Sequence, residues 1–156
     1  MKNQICRDLA VHYRIACSLI KKVAEAFSSS QWVSGLSAFE TPVNVAFHTV
    51  DCLDFYFRGY SHGKYIFGHR FGGGWWELAD ENKPSIGDLI TYLDEIDTRI
   101  AAFFASKDDA HLYEKYNDDH SNMSWYLYAL RHTLHHQGGL NALAAFHKID
   151  VEGWDE

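Results

Sequence analysis

No stretch of the chain approaches the roughly 20 consecutive apolar residues that cross a bilayer, which excludes a membrane-spanning helix and gives no reason to expect a membrane partner. The opening residues Met1–Asp8 lack the apolar segment of a secretory signal. Basic residues are outnumbered, with 14 Lys and Arg against 21 Asp and Glu and a formal charge of −7. Beyond the pair Lys21-Lys22 there is no basic cluster, so a partner that is tracked through its phosphate backbone, DNA above all, is excluded. Cysteine is scarce and odd in number: Cys6, Cys17 and Cys52, with no C-x-x-C. Such a set reads as reduced, buried thiols in a reducing compartment and not as a disulfide framework, and the expected location is the cytoplasm. Internal repeats, low-complexity tracts and interdomain linkers are also missing. What remains is 156 residues with 47% apolar, 15% aromatic and 22% charged content, enough for one domain over residues 1–156 with a sizeable core.

Four segments carry helical periodicity. In the first, from about Arg7 to Phe27, Leu9, Tyr13, Ala16, Ile20, Val23 and Phe27 follow steps of four and three and lay one apolar stripe. The polar run Ser28–Gln31 ends it. The second starts where Thr41 caps and Pro42 takes the first helical position, and it places Val45, His48, Cys52 and Phe55 on one face until Gly59. The third begins at Ser85, with Asp88 as capping-box partner, and carries Ile86, Leu89, Ile90, Tyr92 or Leu93, Ile96, Ile100 and Phe103. A fourth runs from Asp119 or Ser121 to about Phe146, with Trp125, Tyr128, Ala129, His132, His136, Gly139 and Leu143 expected to face inward. The predicted fold is all-α, a single-domain four-helix bundle. Between the second and third helices, residues 59–84 form a long aromatic connector, Phe71-Gly72-Gly73-Gly74-Trp75-Trp76 included. It is expected to pack over one end of the bundle and is long enough for the two helices to run parallel.

Pattern and residue type conflict at one place. His132 and His136 lie four apart on the predicted inward face of the last helix, and His48 lies on the stripe of the second. Imidazoles in a core are costly unless their ring nitrogens are satisfied, and a metal ion satisfies them. Three neutral His nitrogens make a catalytic-type ligand set with a position left for water or substrate. The alternative is a set of hydrogen-bonded core histidines. A helical zinc protease is excluded, because Thr133 follows His132 where that motif has Glu. Several residues could assist. Asp51 could orient a ligand His, although an exposed acid is its ordinary role. Cys52, by default a small buried hydrophobe, could be a fourth ligand or a reactive thiol. Tyr128, otherwise a core residue, could reach a bound water. His135 falls on a neighbouring face. The acid–base candidates are Asp51, Glu77 and His135. His12 has no paired partner. His62, His69, His111, His120 and His147 fall in loops or at helix ends, where solvated His is expected.

The segment Leu130–Leu140, with His132-x-x-x-His136, resembles the last-helix motif of the DinB-like (DNA-damage-inducible, bacillithiol-transferase-like) family, and Val45–Asp51 around His48 resembles its second-helix motif. The helix order and the long connector agree over nearly the whole chain. This sequence departs from the family at Gln137-Gly138-Gly139, where Arg-Gly-Gln is usual. The resemblance implies an up-down-down-up bundle and one nickel or zinc ion per chain on His48, His132 and His136. It also implies frequent homodimers and a thiol S-transferase that uses a low-molecular-weight thiol, or a related isomerase. Two functions follow. One is a metal-dependent enzyme in which the ion activates a thiol or a water against an electrophilic small molecule, by transfer or by hydrolysis. The other is a non-catalytic, stress-associated metal-binding protein whose ion locks the bundle.

Overall fold

The computed structural model describes residues 3–58 and 64–151. Gly59 and His62 lie outside the described residues. The fold is all-helical: α1 (Gln4–Glu25), a one-turn α2 (Ser29–Trp32), α3 (Pro42–Phe57), α4 (Ile86–Ala105) and α5 (Asn122–Phe146), with short 3-10 turns at Asp80–Asn82 and Asp109–Tyr113. Among the described residues there is no strand, only an isolated bridge between Lys115 and Ser121. Among the described residues no helix is long and apolar enough to cross a membrane.

The helix starts follow from local chemistry. Thr41, Ser85 and Ser121 each accept from a backbone N–H three residues on, which satisfies one of the orphan donors of the first turn. At Ser85 the Asp88 carboxylate returns the bond to the Ser85 N–H. The polar run after α1 is not merely a stop. Ser28 and Gln31 form a capping box that starts α2. Its Trp32 is buried and donates its indole N–H to the Pro84 carbonyl at 3.0 Å, which pins the segment before α3 to the start of α4.

The predicted stripe of α1 is buried throughout, Leu9, Tyr13, Ala16, Ile20, Val23 and Phe27 alike. The long helices pack around one core: α1 lies against α4 and α5, and α3 lies against the same two. Tyr13 is fully buried and donates to the Tyr126 carbonyl at 2.6 Å, so its hydroxyl ties α1 to α5 without an unpaired polar group. Around it Phe57, Phe104 and Tyr126 pack edge to face and stacked.

The inward face of α5 differs from the predicted one. The buried line is Asn122, Tyr126, Ala129, Thr133, Gln137, Leu140, Leu143 and Ala144. Trp125, His132, His136 and Gly139 are half-buried beside it, and Tyr128 is 42% exposed. Of the polar residues inside, Thr133 donates to the Ala129 carbonyl of its own helix at 2.8 Å and Asn122 to the His111 carbonyl at 2.9 Å. The glycine pair leaves α5 unbroken. A side chain at Gly138 would meet open space, and one at Gly139 would touch Val45 of α3 at an ordinary 3.8 Å.

The aromatic connector packs against side chains of α3 and α4, Phe71 on Phe47 and Tyr92, and Trp75 on His48 and on Phe39 before α3. Its turn depends on Gly68, at φ +78°, where a Cβ would collide with the Gly73 backbone.

Candidate metal centre

α3 and α5 pack side by side and bring the three predicted histidines together. His48 on α3 has its ring centroid 5.3 Å from that of His132 and 4.6 Å from that of His136 on α5. The Nε2 atoms of His132 and His136 are 3.1 Å apart. Two nitrogens bound to one ion at about 2.0–2.1 Å stand about 2.9–3.4 Å from each other, so this pair is already spaced as co-ligands. Cys52, one turn after His48, joins them. Its Sγ is 3.8 Å from both ring nitrogens of His48, close to the about 3.6 Å expected of a sulfur and a nitrogen on one tetrahedral ion. Donor atoms of His48, Cys52 and His132 all lie within 4.8 Å of one another, so these three are positioned to hold a metal ion, with His136 alongside.

The hydrogen-bonded-core alternative lacks partners. His132 Nδ1 is buried with none, and His48 has only a sulfur at 3.8 Å. Neutral imidazole has one N–H, so the contact between His132 and His136 uses one proton and leaves His132 Nδ1 unmet either way. A buried group in that state costs about 1–3 kcal/mol. The electrostatics favour ligation. Burial, and then the neighbouring His132, bring His48 down to about 4. Burial and the other three histidines bring His136 down to about 4 as well, and burial with His135 lowers His132. All three are therefore neutral near pH 7, the state a cation needs. Burial, reinforced by Asp51, pushes the Cys52 thiol up to about 12. Without a cation it is a thiol and not a reactive thiolate.

The remaining candidates take other places. Asp51 is neither exposed nor a partner of His48. It is fully buried, and its carboxylate accepts from the Tyr65 hydroxyl and the Gly68 N–H, each at 2.7 Å, so it fixes the connector to α3. Burial raises its pKa despite those bonds. One turn on, Asp54 is just as buried and accepts from Arg58, Tyr65 and Arg99. Burial alone would raise its pKa, but these partners, Arg58 first, hold it below the usual carboxylate range. Sequence reading missed this network because Tyr65 and Arg99 are distant along the chain. Glu77 accepts from the Gly74 N–H within its own loop. Trp75, in the connector, stands edge-on to His48 at 5.7 Å and supports it. Several of the histidines expected to be solvated have partners: His111 bonds Glu114 and the Tyr126 hydroxyl, His147 bonds the Ser34 carbonyl at 2.8 Å, and His69 lies 3.7 Å from Asp54.

Tyr128 stacks on His132, with centroids 6.1 Å apart, and carries Arg131 over its ring at 5.7 Å. Together with exposed His135 these side chains line a cleft of about 250 Å³ that reaches His132. Across Tyr128 and Arg131 lies a larger cavity of about 570 Å³, lined further by Trp125, Leu127 and Met123. Arg131 has no carboxylate partner among the described residues. No protein-family model, curated protein or solved structure matches the chain.

Proposed function

We propose that the protein is a metal-dependent enzyme of the DinB-like kind. On this reading it is an up-down-down-up four-helix bundle holding one divalent ion, nickel or zinc, per chain on His48, His132 and His136. It transfers a low-molecular-weight thiol to a small electrophile, with hydrolysis of a similar electrophile as the close variant. The observation that carries the reading is that one member of the imidazole cluster, His132, also lines a surface cleft on α5 that a small molecule can enter. A site whose ion only locked the helices together would have no need of such an approach.

A bound ion supplies positive charge that lowers the pKa of a thiol or water beside it. Everything else is done by the chain. Arg131, which lines both cavities and has no carboxylate partner among the described residues, holds an anionic group of the thiol or electrophile. Trp125, Leu127 and Tyr128 give the apolar wall. The thiol sulfur then forms its bond to carbon, the leaving group departs with the bonding pair, and the thiol proton passes to solvent through exposed His135. Three free, buried cysteines fit a reducing cytoplasm, and the family reading carries the expectation of a homodimer.

The test is consumption of a small aryl or alkyl halide in the presence of cysteine or glutathione, and of an activated ester without them. It compares metal-loaded protein, chelator-stripped protein and His132→Ala. Turnover confined to the loaded wild type is the expected result. Equal rates in stripped and loaded protein would contradict it.

A further inference from the structure

The sulfur beside the three imidazoles has no other employment. Cys6 donates to the Asp108 carbonyl at 3.4 Å, and Cys17 is packed into the core on α1. Cys52 is 7% exposed, with the His48 ring 3.8 Å away at each nitrogen and a His132 nitrogen within 4.8 Å. It follows His48 by four residues, so the two side chains leave α3 on one face, as His132 and His136 leave α5 on another. The four donors thus come as two i, i+4 pairs from two adjacent helices. Two such pairs meeting across a helix interface supply four ligands, which is the number that completes a tetrahedral shell.

We propose that Cys52 is the fourth ligand, as thiolate, of an ion held by His48, His132 and His136. This rests on the metal-centre reading and deepens it. The donor set is three nitrogens and one sulfur, where spacing of histidines alone gives three nitrogens. Two consequences follow. A tetrahedral shell containing a thiolate suits zinc, whereas nickel(II) favours square-planar or tetragonal nitrogen and oxygen ligands, so zinc is the resident metal. Substrate then meets an ion that already has four protein donors. From the cleft beside His132 it would have to add to that shell of His48, Cys52, His132 and His136, which zinc centres sometimes allow.

The experiment is X-ray absorption at the zinc edge on the full-length, untagged, zinc-loaded protein, paired with cobalt(II) titration of the stripped protein. The expected zinc shell has one sulfur at about 2.3 Å and three nitrogens at about 2.0–2.1 Å. Cobalt should give a near-ultraviolet thiolate charge-transfer band that persists in Cys6→Ser and Cys17→Ser. Cys52→Ser should abolish the band and weaken cobalt binding by at least about tenfold, since loss of even a supporting residue costs a metal site about that much. The absorption-edge measurement needs no variant, so a misfolded Cys52→Ser leaves the test intact. A shell of nitrogen and oxygen only, with metal bound at full occupancy, overturns the role of Cys52 and leaves the three-His centre standing. Failure of both zinc and cobalt to bind overturns the two together.

Discussion

Two polar clusters sit one turn apart on α3, and the contrast between them separates structure from function. The carboxylates of Asp51 and Asp54 are fully buried, yet each oxygen has a donor: Tyr65, Gly68, Arg58 and Arg99. His48 and the α5 histidines are less deeply buried, yet among the described residues His132 Nδ1 has no hydrogen-bond partner and the His48 nitrogens have only a sulfur at 3.8 Å. The acidic cluster is finished by the protein itself and holds the connector in place. The imidazole cluster is finished only by something added. The unmet nitrogen of His132 points to a ligand because it lies among other metal-ligating side chains, whereas the paired carboxylates act as a fastening.

The contrast can be broken most severely at the acidic end. Asp54→Ala leaves Arg58 and Arg99 facing each other across a buried void. We expect a loss of about 3 kcal/mol, the low end for breaking a buried ion pair because both arginines keep some solvent contact, measured by urea unfolding of stripped protein. Removing metal comes next. At pH 8, with the ion at about 100 times its dissociation constant, a chelator should lower wild-type stability by about 2.7 kcal/mol. His132→Ala should show no response to the chelator. An equal response in both proteins would mean that the ion sits elsewhere.

Titration sharpens the same comparison. His48 and His136 are held at about 4 in the folded protein, below the about 6.5 of an unfolded chain. The unfolded state therefore takes up protons first as pH falls, and stability moves with proton binding to that state. For stripped protein this cluster leaves stability flat with pH above about 6.5 and reduces it as pH falls from there toward 4. Holo protein should lose its ion over the same acid range. Thermal melts from pH 8 to pH 4 check this. A stripped protein in which His48→Gln/His136→Gln leaves the acid slope unchanged would contradict it.

Much of the fold was legible because its signals are local. Thr41-Pro42, Ser85 with Asp88, and Ser121 announce three helix starts, and Ser28 with Gln31 offered the same signal for α2, there read as a stop. The stripe of α1 is buried in every predicted member. The inward face of α5 was misread because residue type is a poor guide there. Thr133 and Gln137 are inside while Leu127 and Tyr128 are outside, and Thr133 satisfies its hydroxyl within the helix. The histidines still meet, because a half-buried flank of α5 faces α3 as well as a buried one would. What the sequence hid were pairings made at a distance. Asp51 finds Tyr65 and Gly68 across the connector, and Cys52 becomes a donor only when α5 comes alongside.

The smallest effect concerns Gly138, which lies in mid-helix with open space around its Cβ position. Gly138→Ala should stabilise the protein by about 1 kcal/mol with metal content unchanged, read as a rise in Tm. A loss of stability would reveal a contact on the outer face of α5.

The most direct test of the central claim is the metal-to-protein ratio of untagged protein, purified without chelator and supplemented with zinc, measured beside His132→Ala and His136→Ala by elemental analysis. The account predicts about one ion per wild-type chain, as a single cluster of this kind holds, and close to none in either variant. Full stoichiometry in the variants, or no bound ion in the wild type, would contradict it.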